Sequence, residues 1–302
     1  MKRQEPVLES TEVAASVIIP TYNRADLLRR TLGALSCQRD AAFEVIVVDD
    51  GSSDGTREMV AAFASRLPVR YFFQEDLGFR AAAARNLGIR EARGDVCVFL
   101  DSGVLPTTGL VHHHVALHRA GPERLAVVGY TWAYRASLPL GPETVAAIDP
   151  EDADGSAACL AAFPDGRDVR DDFFYSAQGE DLGVQPAPWV TFWACNVSVR
   201  REDLFLVGLF DEAYRGWGFE DLDLGYRLFR SGVRFRLSRQ AAAVHLPHQR
   251  ADDDGQRSDH ENKLYFHSKF RNHVSELALS TPYNLQINAL LKERQVNPPV
   301  AP

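Results

Sequence analysis

The sequence predicts an α/β fold, a mostly parallel sheet flanked by helices. Short apolar, β-branched runs alternate with helical patterns over about the first 100 residues, which is how buried parallel strands and their crossover helices read. Three of those runs end abruptly in polar clusters, Thr21-Tyr22-Asn23-Arg24, Asp49-Asp50 and Asp101-Ser102. Ligands of such sheets bind beyond the carboxyl ends of the strands, so three clusters at three strand ends point to one site.

Residues 1–14 read as a loose tail. Ser16-Val17-Ile18-Ile19-Pro20 is a buried strand stopped by Pro20, and Asn23 to Leu35 follows as a helix carrying Leu27, Leu28, Leu32 and Leu35. Phe43 to Val48 is a second strand, then come a helix over Thr56 to Ser65 and a strand over Val69 to Phe73. Ala81 to Ala92 is an Ala-rich helix, and Val96 to Leu100 a strand that runs into Asp101-Ser102-Gly103. Residues 135–187 are rich in Pro, Gly, Asp and Ala without a period, so they read as an irregular excursion with room for partial disorder. Trp189 to Val199 reads as a strand, followed by a helix start near Arg201, a strand over Val233 to Leu237 and a short apolar run at Ala241 to His245. A helical pattern covers 260–280, and the Pro-rich end beyond Val296 is a tail.

With 302 residues, 45% hydrophobic and 25% charged, the composition is that of an ordinary soluble globular protein. A net charge of −8 argues against a general nucleic-acid binder. Four cysteines lack any CxxC spacing, and Cys37, Cys97 and Cys195 lie in apolar sequence, so a disulfide framework is not expected and a cytoplasmic location is. Met1 to Pro6 lacks the apolar core of a signal peptide, and no apolar run approaches the ~18 residues of a membrane span.

The densest chemistry lies in Trp217-Gly218-Phe219-Glu220-Asp221-Leu222-Asp223, where a loop becomes a helix. Taken alone, its acids have two readings. Carboxylates at a helix N-terminus are favoured by the macrodipole. Adjacent acids beside an indole equally suit a general base and a polyol-binding group.

The runs Val17-Ile18-Ile19-Pro20-Thr21-Tyr22-Asn23-Arg24, Val45 to Thr56 and Phe99-Leu100-Asp101-Ser102-Gly103 resemble the family 2 glycosyltransferases. Asn196-Val197-Ser198, Phe210-Asp211-Glu212 and Trp217-Gly218-Phe219-Glu220-Asp221 are similar to the galactosyltransferase module of chondroitin polymerases and β-1,4-galactosyltransferases. The resemblance implies a GT-A fold and transfer of a sugar from a nucleoside diphosphate with inversion. It implies a nucleotide-sugar-binding half over 15–130, an acceptor-binding and catalytic half over 131–250, and a C-terminal helix and tail over 251–302.

By that resemblance Asp50 accepts from N3–H of a uracil or thymine, with Asp49 organising the turn; capping of that turn is the other reading of the pair. A UDP-sugar, or a dTDP-sugar, is therefore the implied donor. Pro20, Thr21 and Tyr22 would shape the floor under the base, with Arg24 at its edge, although Pro20 equally reads as a strand terminator. Arg80, Arg85, Asp101 and Ser102 would face the ribose and diphosphate. Trp217, Gly218, Asn196 and Trp193 would line the sugar and acceptor site, with Asp221 as base, Glu220 as hydroxyl binder and Asp223 as a helix-start residue.

Gly103 departs from the family's Asp-x-Asp, which binds Mn²⁺ or Mg²⁺. Asp101 remains, and His245 is the expected second ligand, with His248 behind it. Metal independence, with arginines neutralising the diphosphate, is the alternative. His112, His113, His114 and His118 share a helix; only His114 and His118 stand at i, i+4, and packing is the favoured reading even there.

A dinucleotide oxidoreductase is excluded because GxGxxG is absent from the first strand–helix turn. A sugar-nucleotide pyrophosphorylase would need a Gly-rich phosphate loop there. A retaining transferase and a non-catalytic nucleotide-sugar binder remain as alternatives. The acceptor is not legible. Ala- and Arg-rich usage resembles that of high-GC bacteria, where such enzymes decorate small specialised metabolites. Tyr265, Phe266 and Phe270 on the last helix suit docking on the core or a homodimer.

Overall fold

The computed structural model describes residues 13–135, 139–175, 181–248 and 254–294. Most of the expected N-terminal tail and the Pro-rich C-terminal tail lie outside them. Strands β1 (Ala15–Thr21), β2 (Phe43–Asp49), β3 (Val69–Phe73) and β4 (Val96–Leu100) alternate with helices α1 (Ala25–Leu35), α2 (Thr56–Ala61) and α3 (Ala81–Glu91). Then follow β5 (Val104–Pro106), α4 (Leu110–Arg119), β6 (Leu125–Trp132), α5 (Pro142–Ala146) and α6 (Ala153–Leu160). The chain returns through β7 (Asn196–Arg200), α7 (Arg201–Leu206), α8 (Glu220–Arg230) and β8 (Arg234–His245). It closes with α9 (Asp254–Phe270), α10 (His273–Ser280) and α11 (Ile287–Glu293).

These strands form one eight-stranded sheet in the order β3-β2-β1-β4-β7-β6-β8-β5. The first four are mutually parallel, as expected. β7 is antiparallel to both β4 and β6, and β8 runs parallel to β6. Alternation along β1 divides the core. Val17 and Ile19 face Leu28 and Leu32 of α1, whereas Ile18 joins Ala84 and Ile89 of α3 on the other face. The Ala-rich composition of α3 has a steric reason: a Cβ at Gly88 would lie 2.4 Å from Ile18, so the helix sits almost on the strand.

Several expected elements differ. Trp189 to Val199 is not one strand: Pro188–Thr191 forms a 3₁₀ turn and the strand begins only at Asn196. Trp189 is buried against Tyr226 and Phe266, at centroid distances of 5.1 and 5.9 Å, so helices rather than sheet neighbours cover this apolar run. The helical pattern over 260–280 breaks at Arg271, whose φ is 46°, and Asn272 caps α10 through a capping box. α2 ends at Ala61, short of Ser65. The two apolar runs around Phe235 and Val244 are one long strand, β8, which shifts register against β6 between Gly129 and Thr131. The excursion is not bare, since α5 and α6 and several single-turn helices occupy it. Cys37 is exposed, contrary to its apolar sequence setting, as is Cys159. Cys97 and Cys195 are buried free thiols, each pushed up to about 12 by burial. No helix among the described residues is long and apolar enough to cross a membrane.

His114 and His118 pack inward from α4 onto β7. The Ser198 hydroxyl lies 2.8 Å from His114 Nδ1 and 2.9 Å from His118 Nε2, and Asn196 Oδ1 lies 2.9 Å from His114 Nε2. Burial lowers His114 to about 4 and His118 to about 3 from 6.5, so both are neutral in the folded protein. Their folded pKa values lie below the unfolded one. The stabilisation is therefore complete above 6.5 and is lost as pH falls from there toward about 4 for His114 and about 3 for His118. Denaturant titrations between pH 7 and 4 should show a loss of about 1 kcal/mol per pH unit for each histidine, and His118→Gln should flatten that slope.

Candidate functional site

A polar rim is built at the carboxyl ends of β1, β2 and β4. Asp49 accepts from the Gly51 and Ser52 amides, at 3.1 and 2.7 Å, and from the Tyr71 hydroxyl at 2.6 Å, so it fixes the turn that leaves β2. Asp50 is buried at the surface of that turn and accepts from Gln74 Nε2 at 2.5 Å, the Arg80 amide at 2.8 Å and Arg80 Nη2 at 3.1 Å. Tyr22 stands exposed and donates to Asp76 at 2.8 Å, while the hydroxyl of buried Thr21 has no hydrogen-bond partner among the described residues. Ser102 donates to the Pro20 carbonyl at 3.2 Å, which binds the end of β4 to the end of β1. Arg24 Nη1 lies 2.9 Å from His248 Nε2 and connects this rim to the chain beyond β8.

Arg85 occupies the centre. It is 5% exposed, and its two terminal nitrogens bind Asp101 Oδ1 at 3.0 Å and Glu220 Oε1 at 2.9 Å. Burial opposes its charge, but Asp101 and Glu220 more than offset that, so the guanidinium is held firmly protonated. The face of the group rests on Phe210, 5.5 Å from the ring centroid. Both terminal nitrogens are thus spent on carboxylates, and this clamp joins the strand-end cluster to the acidic segment.

That segment starts α8 from a strained backbone. Phe219 has φ 76°, costly for a bulky residue, and is held there by burial against Phe266 at 5.1 Å. Gly216 has φ 67°, and a Cβ on it would lie 2.6 Å from Cβ of Ser258. Helix α9 grips the loop directly: Asn262 Nδ2 donates to the Arg215 carbonyl at 3.0 Å and to that of Gly218 at 2.7 Å. Trp217 is 45% exposed at the tip.

The three acids of α8 have different surroundings. Asp223 is fully buried and held by Arg227 Nε at 2.7 Å and Lys269 Nζ at 2.8 Å, a structural ion pair. Glu220 keeps Oε2 buried without a partner among the described residues. Asp221 accepts from the Ala194 amide at 3.2 Å and the Leu222 amide at 2.8 Å. Burial, and then the charge of Glu220, raise Asp221 to about 7 against the pull of Arg85. A carboxylate poised there is matched to proton abstraction at neutral pH.

Trp193 forms a wall with Tyr134 at 5.3 Å, and Tyr134 meets His245 edge-on at 4.9 Å. Asn196 belongs elsewhere. It is fully buried, donating to the Tyr130 and Ala241 carbonyls at 3.3 and 3.0 Å while its oxygen faces His114. Its side chain knits the sheet and is closed off from solvent. Sequence patterns did not single out Tyr71, Tyr134 or Asn262; each acts from an element whose neighbours become known only through the tertiary fold.

Among the described residues no group of three or more His, Cys, Asp or Glu side chains gathers to hold a metal ion. His245 is paired in register with Val104, and the Leu246 amide donates to the Gly103 carbonyl at 2.9 Å, so the chain segments bearing Asp101 and His245 run side by side. Asp101 and His245 would offer one carboxylate and one imidazole to a divalent cation held there.

The family described as Glycosyl transferase family 2 matches residues 16–151, and that described as N-terminal domain of galactosyltransferase matches 182–249. The chain belongs to the family 2 glycosyltransferases. Validoxylamine A glucosyltransferase of Streptomyces hygroscopicus subsp. jinggangensis is 41% identical over 240 residues, which cover 79% of this chain and 56% of that protein. This family 2 chain therefore spans about half the length of that relative. S. aureus TarS 1-349 in complex with UDP-GlcNAc superposes with a TM-score of 0.62 at 15% identity, covering 91% of this chain and 72% of that one. The mannosyltransferase PcManGT from Pyrobaculum calidifontis in complex with GDP-Man and Mn²⁺ gives 0.56 at 20% identity, covering 94% and 75%. These likenesses bear out the expected family and GT-A fold class.

The electrostatics of the acid pair make a direct prediction. A ¹³C titration of the Asp221 carboxyl should show an apparent pKa of about 7. Because Glu220 raises that value and Arg85 lowers it, Glu220→Gln should move the titration down and Arg85→Met should move it up.

Proposed function

We propose that this chain is an inverting glycosyltransferase that moves a sugar from a nucleoside diphosphate, a UDP-sugar, to a hydroxyl or amine of a small polyhydroxylated acceptor. The observation that carries the reading is the Arg85 clamp: it holds Asp101, at the end of a nucleotide-side strand, and Glu220, beside the poised Asp221, in one buried unit. A donor diphosphate near Asp101 and a base at Asp221 then sit on opposite sides of one cleft.

In this reading Asp50 accepts from N3–H of uracil, since a carboxylate has lone pairs beyond those used by Gln74 and Arg80. Tyr22, Thr21, Pro20 and Ser102 form the floor, with Arg24 and Arg80 at its edges. Trp217 and Trp193 offer apolar faces to the sugar and acceptor rings, and Glu220 Oε2 takes a substrate hydroxyl. Asp221 removes the acceptor proton as the nucleophile attacks the anomeric carbon opposite the leaving diphosphate. Asp101 and His245 would hold a divalent cation, whose chemistry there is to neutralise charge on the diphosphate. The small acceptor is suggested by the 41% identical relative, a validoxylamine A glucosyltransferase.

UDP release from UDP-sugars in the presence of validoxylamine A or related aminocyclitols tests the activity. Asp221→Asn should lower transfer by about 10² to 10⁴-fold while UDP affinity stays within about twofold. Retained transfer, or lost UDP binding, would contradict the assignment of the base. Chelation with EDTA should weaken UDP binding and transfer together, with Mn²⁺ restoring both; full activity in chelator would remove the metal from the reading.

A further inference from the structure

The excursion between β6 and β7 contains a charged unit that the proposed reaction has not used. Arg170 and Asp168 are both fully buried. Arg170 Nε and Nη2 bind the Asp168 carboxylate at 2.9 and 2.6 Å, Nη2 also donates to the Gly129 carbonyl at 3.1 Å, and Nη1 donates to that of Thr191 at 2.9 Å. Asp168 in turn accepts from the Thr131 amide at 2.9 Å, which anchors the pair to β6. The guanidinium lies over the Trp193 ring, 4.9 Å from its centroid, and 5.5 Å from that of Tyr175.

Two of these contacts, the Thr191 carbonyl and the Trp193 ring, fall on one short segment, while Gly129 and Thr131 tie the pair to β6. The Thr191 carbonyl that receives Arg170 also accepts from the Trp193 amide at 2.9 Å, so one oxygen defines the turn that carries Trp193. The next residue, Ala194, gives its amide to Asp221. Arg170 therefore touches both the ring and the carbonyl that set Trp193 and Ala194. Replacing a buried ion pair by apolar residues is often neutral for stability. A guanidinium that engages two backbone carbonyls and an aromatic face in addition to its carboxylate is placed for geometry.

We propose that Arg170 is a positioning residue: braced by Asp168, it fixes the Thr191–Ala194 turn and so places both Trp193 and the amide that orients Asp221. This rests on the reading of Asp221 as base, and it assigns a role to a segment that lies outside both matched family regions. Arg170 itself touches no reacting atom. Glu220 on its own helix, Arg85 from α3, the Cys195 thiol and the amides of Ala194 and Leu222 face Asp221, so the contact through which Arg170 is proposed to act on it is the Ala194 turn.

The test compares Arg170→Lys, Arg170→Met and the double variant Asp168→Asn/Arg170→Met. The double variant leaves no uncompensated buried charge, so it stays measurable if Arg170→Met alone does not fold. Hydrogen exchange over residues 189–196 reads the turn without any turnover. The expected result is exchange at least about tenfold faster there in the double variant, with α1 unchanged and UDP affinity within about twofold. Transfer to validoxylamine A should then fall about 10 to 10²-fold with a raised acceptor KM, the scale expected for a reacting group misplaced by about 1 Å. Arg170→Lys, which can still reach the Thr191 carbonyl, should recover part of both. A folded double variant with unchanged exchange over 189–196 overturns the proposal, as does one with faster exchange whose acceptor KM and per-site turnover are those of the parent. Absence of UDP release by the unsubstituted protein would instead defeat the proposed function, and the exchange measurement would still decide whether Arg170 holds the turn.

Discussion

The site depends on one buried guanidinium. Arg85 sits between a carboxylate at the end of β4 and another at the start of α8, and each acid cancels part of the cost of burying it. The reverse also holds. Without that cation, Glu220 and Asp221 would be adjacent carboxylates in a poorly solvated place, and they could not both remain ionised. Arg85 limits the upward shift of Asp221, a group pushed up by burial and by its neighbour. The same bond fixes the distance between the strand ends and the acidic helix. Charge balance and geometry are therefore a single constraint here.

A second constraint is local strain. Phe219 holds a left-handed conformation that a free chain would leave, and it does so because its ring is buried on α9 while Asn262 holds the carbonyls on either side of Trp217. The loop is thus organised before any substrate arrives, and the C-terminal helix belongs to the site's architecture. Preorganised dipoles and acids need no rearrangement at the moment of reaction.

The first four strands were legible because β1, β2 and β4 are buried, continuous apolar runs and because β3, half-buried at the sheet edge, is still apolar and aromatic. Asp49 and Asp50 were separable in principle, and the turn amides and the Tyr71 hydroxyl gathered on Asp49 show why the first of them is structural. Trp189 misled as a strand residue because an apolar run buried by helices looks like one buried by sheet neighbours. Asn196 misled because its motif position says nothing about the side its amide faces, and here it faces the inside of the sheet. Arg170 and Asp168 were invisible, since a pair two residues apart in a stretch without period has no pattern to announce its burial. Arg85 was expected to meet phosphate; that both its terminal nitrogens would go to carboxylates required knowing that residue 220 comes within 3 Å of residue 85.

The antiparallel seam between β4 and β7 has one more consequence. Leu100 pairs with Asn196, so Asp101 and Ala194 emerge at the same end of adjacent strands, the first bound by Arg85 and the second giving its amide to Asp221. An insertion or deletion of a single residue in either strand would put every side chain beyond it on the opposite face of the sheet and pull the two ends out of step. The helices and turns between β6 and β7 face no such restriction along most of their length. Change in chain length over evolutionary time is therefore permitted in the excursion, provided the Asp168 and Arg170 anchor is kept, and forbidden at the seam. A lineage of such proteins can remodel the surface built by the excursion while leaving the strand register of the seam untouched.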